Sequence, residues 1–248
     1  MKAPWFEADW PAPPGVHVLS TLRGGSDSGV SRAPYAHFNL GDHVGDDPGA
    51  VAENRQRLRV EARLPAEPAW LSQVHGIAVA NLDAARLTGP ADAAIARRAG
   101  QVCAILTADC LPVMIAADCG EGVAAAHAGW RGLAGGVIEA TVRALGTPPQ
   151  RLIAWLGPAI GPQHFEVGAE VRDALLQSDP EAGHAFQPNE RGRFMADLPM
   201  LARRRLAKLG LSRIYGGGEC TYAQAERYFS HRRDGTTGRQ ATLIWREG

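Results

Sequence analysis

The chain has 248 residues, of which 45% are hydrophobic and 21% are charged. This apolar share can bury a substantial core, and the charged fraction is too low for a disordered chain. The 26 basic and 26 acidic side chains balance, so the chain has no general electrostatic attraction for a nucleic-acid polymer or an anionic membrane.

The cysteine content and the hydropathy pattern indicate a cytoplasmic protein. Four cysteines are too few for a disulfide framework in a chain of this size, and the first residues contain no signal-peptide core. The most apolar stretch, residues 102–117, is interrupted by Asp109 and Pro112 and is too short to span a bilayer. We therefore expect free thiols in a reducing compartment, with no membrane partner and no obligate protein partner.

The predicted elements alternate irregularly. In chain order, the pattern predicts a strand over 16–21, a helix from 47 to about 64, strands over 69–74, 77–80, 102–107, 113–116 and 123–127, a helix over 133–145, a strand over 152–156, helices over 168–177 and 198–209, and strands over 213–215 and 241–245. Asp47 followed by Pro48 is typical of a helix start. No repeat and no convincing linker appears, so we expect residues 1–248 to form one layered domain of the α/β (mixed α+β) class, with mixed sheets flanked by helices.

Three chemically versatile side chains stand at the ends of predicted strands. His75 follows a short strand and precedes Gly76, and this segment alone favours a structural histidine. Cys110 follows the buried strand over 102–107 together with Asp109, whose carboxylate is costly to bury unless it is paired. Pro112 cannot donate to a strand ladder and is expected to interrupt the pairing there. His127 ends a strand of small residues.

Two kinds of site remain open for these three residues. A catalytic Zn²⁺ takes three protein ligands and keeps a fourth position free, whereas a cysteine nucleophile needs only a histidine base. Cys110 is equally compatible with the core of the fold, where most free cysteines lie. The spacing of His75, Cys110 and His127 matches no compact zinc-binding pattern.

Further polar residues are candidates for anion binding. Arg131 follows Gly129 in a strand-to-helix turn, which either offers backbone N–H groups to an anion or is simply a tight turn with a surface arginine. Asn54 and Arg55 lie on the helical stripe predicted to face the core. Their partner is expected to be either an anionic ligand or a structural carboxylate such as that of Asp109.

The motifs taken together resemble the YfiH-like family, long classed as laccase-like multicopper polyphenol oxidoreductases and also described as purine nucleoside phosphorylases with adenosine deaminase activity. The resemblance covers roughly residues 17–246. It is carried by residues 17–25, 38–41, 43–48, 53–55, 73–76, 107–113, 126–132, 157–161, 216–221 and 232–239. His37 and His231 depart from the usual family pattern. Because both are expected near the substrate, the resemblance does not determine the identity of the substrate.

The resemblance implies a fold, a metal and a set of site residues. The fold is a single α/β domain similar to that of Cys–His hydrolases. One zinc ion is held by His75, Cys110 and His127, which are also expected to be catalytic, and copper is a less favoured occupant. Arg55 and Asp109 complete the expected catalytic residues, and Asn39, Arg55 and Arg131 are expected to bind substrate and phosphate.

The implied reaction is phosphorolysis of adenosine, inosine, guanosine or methylthioadenosine, with adenosine deamination in the same site. The expected partners are therefore a small nucleoside and phosphate. One alternative is a peptidoglycan-editing hydrolase that removes L-serine from a UDP-muramoyl precursor. A copper-dependent polyphenol oxidase is less favoured, because the 8 histidines include no His-x-His pair for a multicopper cluster.

Overall fold

The computed structural model describes residues 3–25, 27–84 and 89–248. Within these ranges the chain forms fourteen strands and six α-helices. The strands are β1 Trp5–Glu7, β2 Val16–Thr21, β3 Ala69–Trp70, β4 Val79–Asn81, β5 Ala93–Ala96, β6 Val102–Thr107, β7 Leu111–Ala117, β8 Val123–Ala128, β9 Leu152–Leu156, β10 Glu166–Val167, β11 Phe186–Pro188, β12 Phe194–Ala196, β13 Arg213–Gly216 and β14 Gln240–Arg246. The helices are α1 Pro48–Glu61, α2 Trp130–Gly135, α3 Val137–Leu145, α4 Ala169–Ser178, α5 Leu198–Lys208 and α6 His231–Asp234.

Two large mixed sheets pack face to face at the centre. The first has the strand order β1-β2-β14-β6-β3, and the second has the order β13-β9-β7-β8-β5-β4. Side-chain alternation along β7 divides its residues between two cores: Met114 packs toward the first sheet, whereas Val113 and Ile115 face the helices. Alanines in β5 and β8 keep the layer between the sheets thin, because a methyl side chain lets the facing strands approach closely.

Helices cover the outer face of each sheet. Leu58 of α1 packs with Leu40 and Leu243 on the first sheet, and Ile138 of α3 and Leu206 of α5 belong to the core on the second sheet. The resulting helix–sheet–sheet–helix order confirms the expected mixed α/β class with sheets flanked by helices. None of the helices in the described ranges is long and apolar enough to cross a membrane.

Several element boundaries differ from the predicted ones. The helix expected over 133–145 begins earlier, at Trp130, and divides at Gly136, whose φ of 93° places it in the left-handed region. The strand expected over 69–74 ends at Trp70, and the N–H groups of residues 74–76 donate to the Asp92 carboxylate instead of to a strand ladder. Strand β7 begins at Leu111, so Pro112 lies within it rather than interrupting it.

Five strands, β1, β5, β10, β11 and β12, and one helix were not predicted from the pattern. Strand β5 consists of three alanines and one isoleucine, and alanine is depleted in strands. The three strands β10, β11 and β12 form a small separate sheet. Each strand has only two or three residues, which is too short to show an alternating hydrophobic pattern in the sequence. Helix α6 spans a single turn.

Candidate metal centre

His75, Cys110 and His127 meet where the layer between the two sheets opens to the surface. His127 is in β8 on the face that looks toward the first sheet, and Cys110 is in the turn between β6 and β7. His75 comes from the loop after β3. One nitrogen of each histidine and the sulfur of Cys110 lie within 4.8 Å of one another. His127 is buried, Cys110 is half-buried and His75 is exposed, so the cluster has a closed side and an open side.

Asp92 fixes the orientation of His127. Its Oδ1 lies 2.8 Å from His127 Nδ1, and the carboxylate is fully buried. A histidine that donates its Nδ1–H to a carboxylate presents Nε2 as the free nitrogen, which is the usual arrangement behind a metal-binding histidine. The Asp92–His127 pair therefore prepares Nε2 to bind a metal ion.

The same carboxylate holds the loop that carries His75. The backbone N–H groups of Val74, His75 and Gly76 donate to Asp92 at 3.1, 2.9 and 2.7 Å. His75 has a φ of 60°, a conformation that non-glycine residues seldom adopt unless their surroundings impose it. Asp92 thus sets the position of two histidines that are far apart in the chain.

Gly129 leaves space for the cluster. A Cβ atom at this position would lie 3.0 Å from Cys110 Sγ and 3.0 Å from His75 Nδ1. These contacts are tighter than most Cβ contacts in proteins, so Cys110 Sγ and His75 Nδ1 would have to move by a few tenths of an ångström. Glycine at this position therefore allows the cluster to keep its geometry.

The local electrostatics push the pKa values of the two histidines apart. Burial alone would lower the pKa of His127, but the Cys110 sulfur and the Asp92 carboxylate outweigh it and raise the pKa to about 9. Burial and the neighbouring His127 lower the pKa of His75. Burial would raise the pKa of Asp92, yet hydrogen bonds from His127 and from the Gly76 and Val74 backbones lower it. Such coupled shifts are typical of functional sites.

The donor set fits a metal ion. Two imidazoles and one thiolate are ligands that Zn²⁺ accepts, and three protein ligands leave a fourth position open. Asp92 supplies the outer hydrogen bond expected of such a site. The predicted grouping of His75, Cys110 and His127 is thus found in the structure as a possible metal site.

A pocket of about 280 Å³ opens beside the cluster. It is lined by His43, Gln73, His75, Leu106, Thr107, Ala108, Cys110, His127, His231 and Arg239. A larger groove of about 920 Å³ follows α1 but contains none of the three cluster residues. The smaller pocket is therefore the one in which the cluster can act on a ligand.

Asp109 adjoins the cluster, but both of its carboxylate oxygens are engaged. Oδ1 accepts the Thr221 hydroxyl at 2.7 Å, and Oδ2 accepts the Arg232 N–H at 2.7 Å. Its own φ is 96°, and its carbonyl accepts the Ile160 N–H. Asp109 therefore ties the turn before Cys110 to the C-terminal part of the chain and does not line the pocket.

Arg55 and Asn54 contact the backbone, and the carboxylate that pairs with Arg55 is that of Asp42, at 3.4 Å, and not that of Asp109. Arg55 Nε and Nη2 donate to the Leu40 carbonyl at 3.0 and 2.8 Å, and the guanidinium lies over the Trp70 ring at 4.3 Å. Asn54 is fully buried and bonds to residues of the 30–39 loop. The structure does not bring Arg55 to the pocket beside the cluster.

The two remaining predicted substrate residues differ in placement. Arg131 is exposed and stacks on Trp130 at 4.4 Å, outside the pocket wall, although its charge contributes to lowering the pKa of His75. Asn39 is fully buried; its Oδ1 accepts the N–H groups of Gly41 and Arg239. Asn39 thus contacts the pocket only through Arg239.

Asp92, Thr107 and Arg239 were not singled out from the sequence. Asp92 stands directly before the apolar stretch Ala93–Ala96, and that position was the available signal, because a carboxylate next to a buried strand requires partners. Arg239 reaches the pocket because β14 pairs antiparallel with β6 and sets Gln240 opposite Thr107. That long-range pairing has no local sequence signature.

Comparison with known proteins identifies the family of the chain. A family model described as multi-copper polyphenol oxidoreductase laccase matches residues 17–247. The chain belongs to this YfiH-like family. A relative from Pseudomonas aeruginosa named purine nucleoside phosphorylase is 52% identical and aligns over 97% of this chain and 98% of its own. YfiH of Escherichia coli K12, which carries the same enzyme name, is 50% identical over 95% of this chain and 96% of its own.

Solved structures share the fold of this YfiH-like chain. The crystal structure of a Neisseria meningitidis protein has a TM-score of 0.92 at 46% identity, covering 99% of this chain and 100% of the other. YlmD from Geobacillus stearothermophilus has a TM-score of 0.92 at 31% identity, with 100% and 98% covered. The layered architecture is therefore that of the YfiH-like family.

Proposed function

We propose that this YfiH-like protein is a zinc-dependent purine nucleoside phosphorylase that also deaminates adenosine. The observation that carries the proposal is the His75–Cys110–His127 cluster beside a pocket, in a chain about half identical to relatives named purine nucleoside phosphorylase. In the reaction, a phosphate oxygen replaces the purine at the sugar, yielding ribose 1-phosphate and the free base.

The metal ligands would be His75, Cys110 as its thiolate, and His127. Zn²⁺ bound there would supply Lewis-acid chemistry to the pocket. The role of Asp92 is to keep His127 in the tautomer that leaves Nε2 free, and to hold the His75 loop in place. Since Cys110 must stay reduced to act as a ligand, the proposal places the enzyme in a reducing compartment such as the cytoplasm.

A multicopper oxidase site is not supported by the arrangement of ligands. Within the described residues one group of three metal-ligating side chains comes together, and it contains two histidines. A laccase uses several copper ions held by many histidines. Copper bound at the single cluster would be an alternative occupant and not an oxidase centre of that type.

Product analysis tests the proposal. The protein, purified without added metal, is first analysed for bound metal and then incubated with adenosine and inorganic phosphate. We expect zinc, adenine and ribose 1-phosphate, with inosine and hypoxanthine from deamination. A parallel incubation with UDP-N-acetylmuramoyl-L-serine tests the peptidoglycan-editing alternative. Release of serine without any phosphorolysis of nucleosides would overturn the proposal.

A further inference from the structure

The wall of the pocket beside the metal cluster is suited to an anion. Its lining includes one guanidinium, that of Arg239, and four imidazoles. Among the described lining residues none is an aspartate or a glutamate. Three neighbouring carboxylates have other hydrogen-bond or ion-pair partners: Asp92 bonds to His127, both oxygens of Asp109 are engaged, and exposed Asp42 lies 3.4 Å from His43. The charges of Asp109 and of the Cys110 sulfur act on Arg239 and favour its charged form.

Both the backbone and the aliphatic part of the Arg239 side chain are fixed by neighbouring residues. Its N–H donates to Asn39 Oδ1 at 2.8 Å, and its carbonyl accepts the Leu40 N–H at 3.1 Å. Gly41 leaves room for the aliphatic part of the side chain, since a Cβ there would lie 2.7 Å from Arg239 Cγ. Because Asn39 is fully buried, this anchor is rigid.

One edge of the Arg239 guanidinium is free for a ligand. Nη1 donates to the carbonyls of Thr237 and Gly238 at 3.0 and 2.9 Å. Within the described part of the chain, Nε and Nη2 make no hydrogen bond, and neither is sealed from solvent. Nε–H and Nη2–H form the parallel pair of donors with which arginine binds two oxygens of a phosphate or carboxylate.

Thr107 adds a second, independent indication. Its side chain is 2% exposed, and Oγ1 is buried without a hydrogen-bond partner among the described residues. A buried hydroxyl without a partner is unfavourable, and because Thr107 lies in the pocket wall, an oxygen of a bound anion would supply the missing partner. Thr107 and Arg239 are close because β6 and β14 pair at this end of the sheet.

We propose that Arg239 and Thr107 form the phosphate-binding site of this enzyme, with the Nε/Nη2 edge of Arg239 and the Thr107 hydroxyl holding the oxygens of the phosphate co-substrate beside the metal cluster. The inference rests on the proposed phosphorolysis for its choice of phosphate. His231 and His43 lie at the exposed rim of the same pocket, where they add donors for an incoming anion. Arg55 points elsewhere and Arg131 lies outside the pocket wall.

Inorganic phosphate is the probe for this site. Calorimetric titration of the metal-loaded protein should give a dissociation constant for phosphate that rises about tenfold or more in Arg239→Gln, because a bidentate charge-assisted contact is lost. Arg239→Lys, which keeps the charge but not the fork, should recover part of the affinity. Thr107→Val removes only the hydroxyl and should weaken binding severalfold. The matched control is Arg143→Gln, an exposed arginine of α3 outside the pocket.

Steady-state kinetics add a readout that a purely structural role would not move. In Arg239→Gln the KM for phosphate should rise about tenfold, while the metal content is unchanged and the KM for the nucleoside changes much less. Thr107→Val is the second variant if Arg239→Gln folds poorly. Wild-type phosphate affinity in both variants, or a loss that follows Arg131→Gln instead, would overturn the inference.

The outcomes separate this inference from the proposed function. If nucleosides are cleaved and Arg239→Gln leaves phosphate binding intact, only the inference fails. If phosphate binds through Arg239 but no nucleoside is cleaved, the phosphorylase proposal fails and the anion site stands. The site would then hold a phosphoryl group of another substrate. Absence of phosphate binding in the wild-type protein overturns the inference.

Discussion

The carboxylate of Asp92 and the imidazole of His127 form a buried hydrogen bond of 2.8 Å. The same carboxylate accepts the backbone N–H groups around His75, so one side chain orients two of the three residues of the metal cluster. Because the cluster spans three distant parts of the chain, its geometry depends on this shared partner.

Asp92→Asn should lower the affinity for zinc by about 10–100-fold. An amide NH₂ group facing His127 Nδ1 would force that nitrogen to accept, which places the proton on Nε2 and blocks it as a ligand. Competition with a chromogenic chelator measures the affinity. The control is Asp173→Asn, an exposed position on α4; equal zinc affinity in both variants would contradict the role given to Asp92.

Gly129→Ala should remove the metal from an otherwise folded protein. The added methyl group would lie 3.0 Å from both Cys110 Sγ and His75 Nδ1, so the ligands must separate to accommodate it. Gly183→Ala is the matched control, since a Cβ there meets nothing within 4 Å. Elemental analysis and far-UV circular dichroism check the two variants together. A Gly129→Ala protein with full zinc content would show that the cluster tolerates the displacement.

Arg55→Gln should destabilise the protein without changing the KM for phosphate. It removes two hydrogen bonds to the Leu40 carbonyl, the contact over Trp70 and the ion pair with Asp42, which together contribute about 1–3 kcal/mol to the free energy of unfolding. Urea denaturation measures this loss. Arg57→Gln, an exposed i,i+4 partner of Glu53 on the same helix, should cost about 0.5 kcal/mol or less. A raised KM for phosphate in Arg55→Gln would restore the role in phosphate binding expected from the family resemblance.

Asp179 should make the stability depend on pH in the acid range. Burial alone would raise its pKa, but hydrogen bonds from Arg204 and Lys208 lower it to about 2. A carboxyl group with a lowered pKa in the folded state stabilises the fold above its unfolded pKa of about 3.8 and loses this contribution as the pH falls toward 2.

The difference in unfolding free energy between wild type and Asp179→Asn should therefore be about 2 kcal/mol near neutral pH and shrink below pH 4. Glu181→Gln serves as the control, because this exposed residue pairs with the same arginine and should matter little. A difference that does not decrease in acid would exclude this explanation.

The sequence was informative where a residue type was unusual for its surroundings. A thiol and two imidazoles at strand ends, together with the family motifs, predicted the cluster of His75, Cys110 and His127, and hydrophobic periodicity predicted most of the central strands. The roles expected for Arg55 and Arg131 rested on local position in a helix and a turn. Their side-chain directions depend on Leu40, Trp70 and Trp130, which local patterns do not reveal.

Asp92 and Arg239 illustrate what the sequence could not supply. Asp92 reaches His127 across 35 positions of the chain, and Arg239 reaches the pocket through the pairing of β14 with β6. Both contacts are set by sheet register, which is decided by the whole core and not by the segment that carries the residue. The predicted division of the chain into strands and helices was therefore more accurate than the predicted partners of individual polar residues.

In the proposed reaction, the His75–Cys110–His127 cluster holds the metal on which phosphorolysis depends. The most direct test of this dependence is the joint measurement of zinc content and ribose 1-phosphate formation from adenosine and phosphate in Cys110→Ala. We expect this variant to lose both the metal and the activity while keeping its fold. A metal-free Cys110→Ala protein that forms ribose 1-phosphate at the wild-type rate would contradict the account.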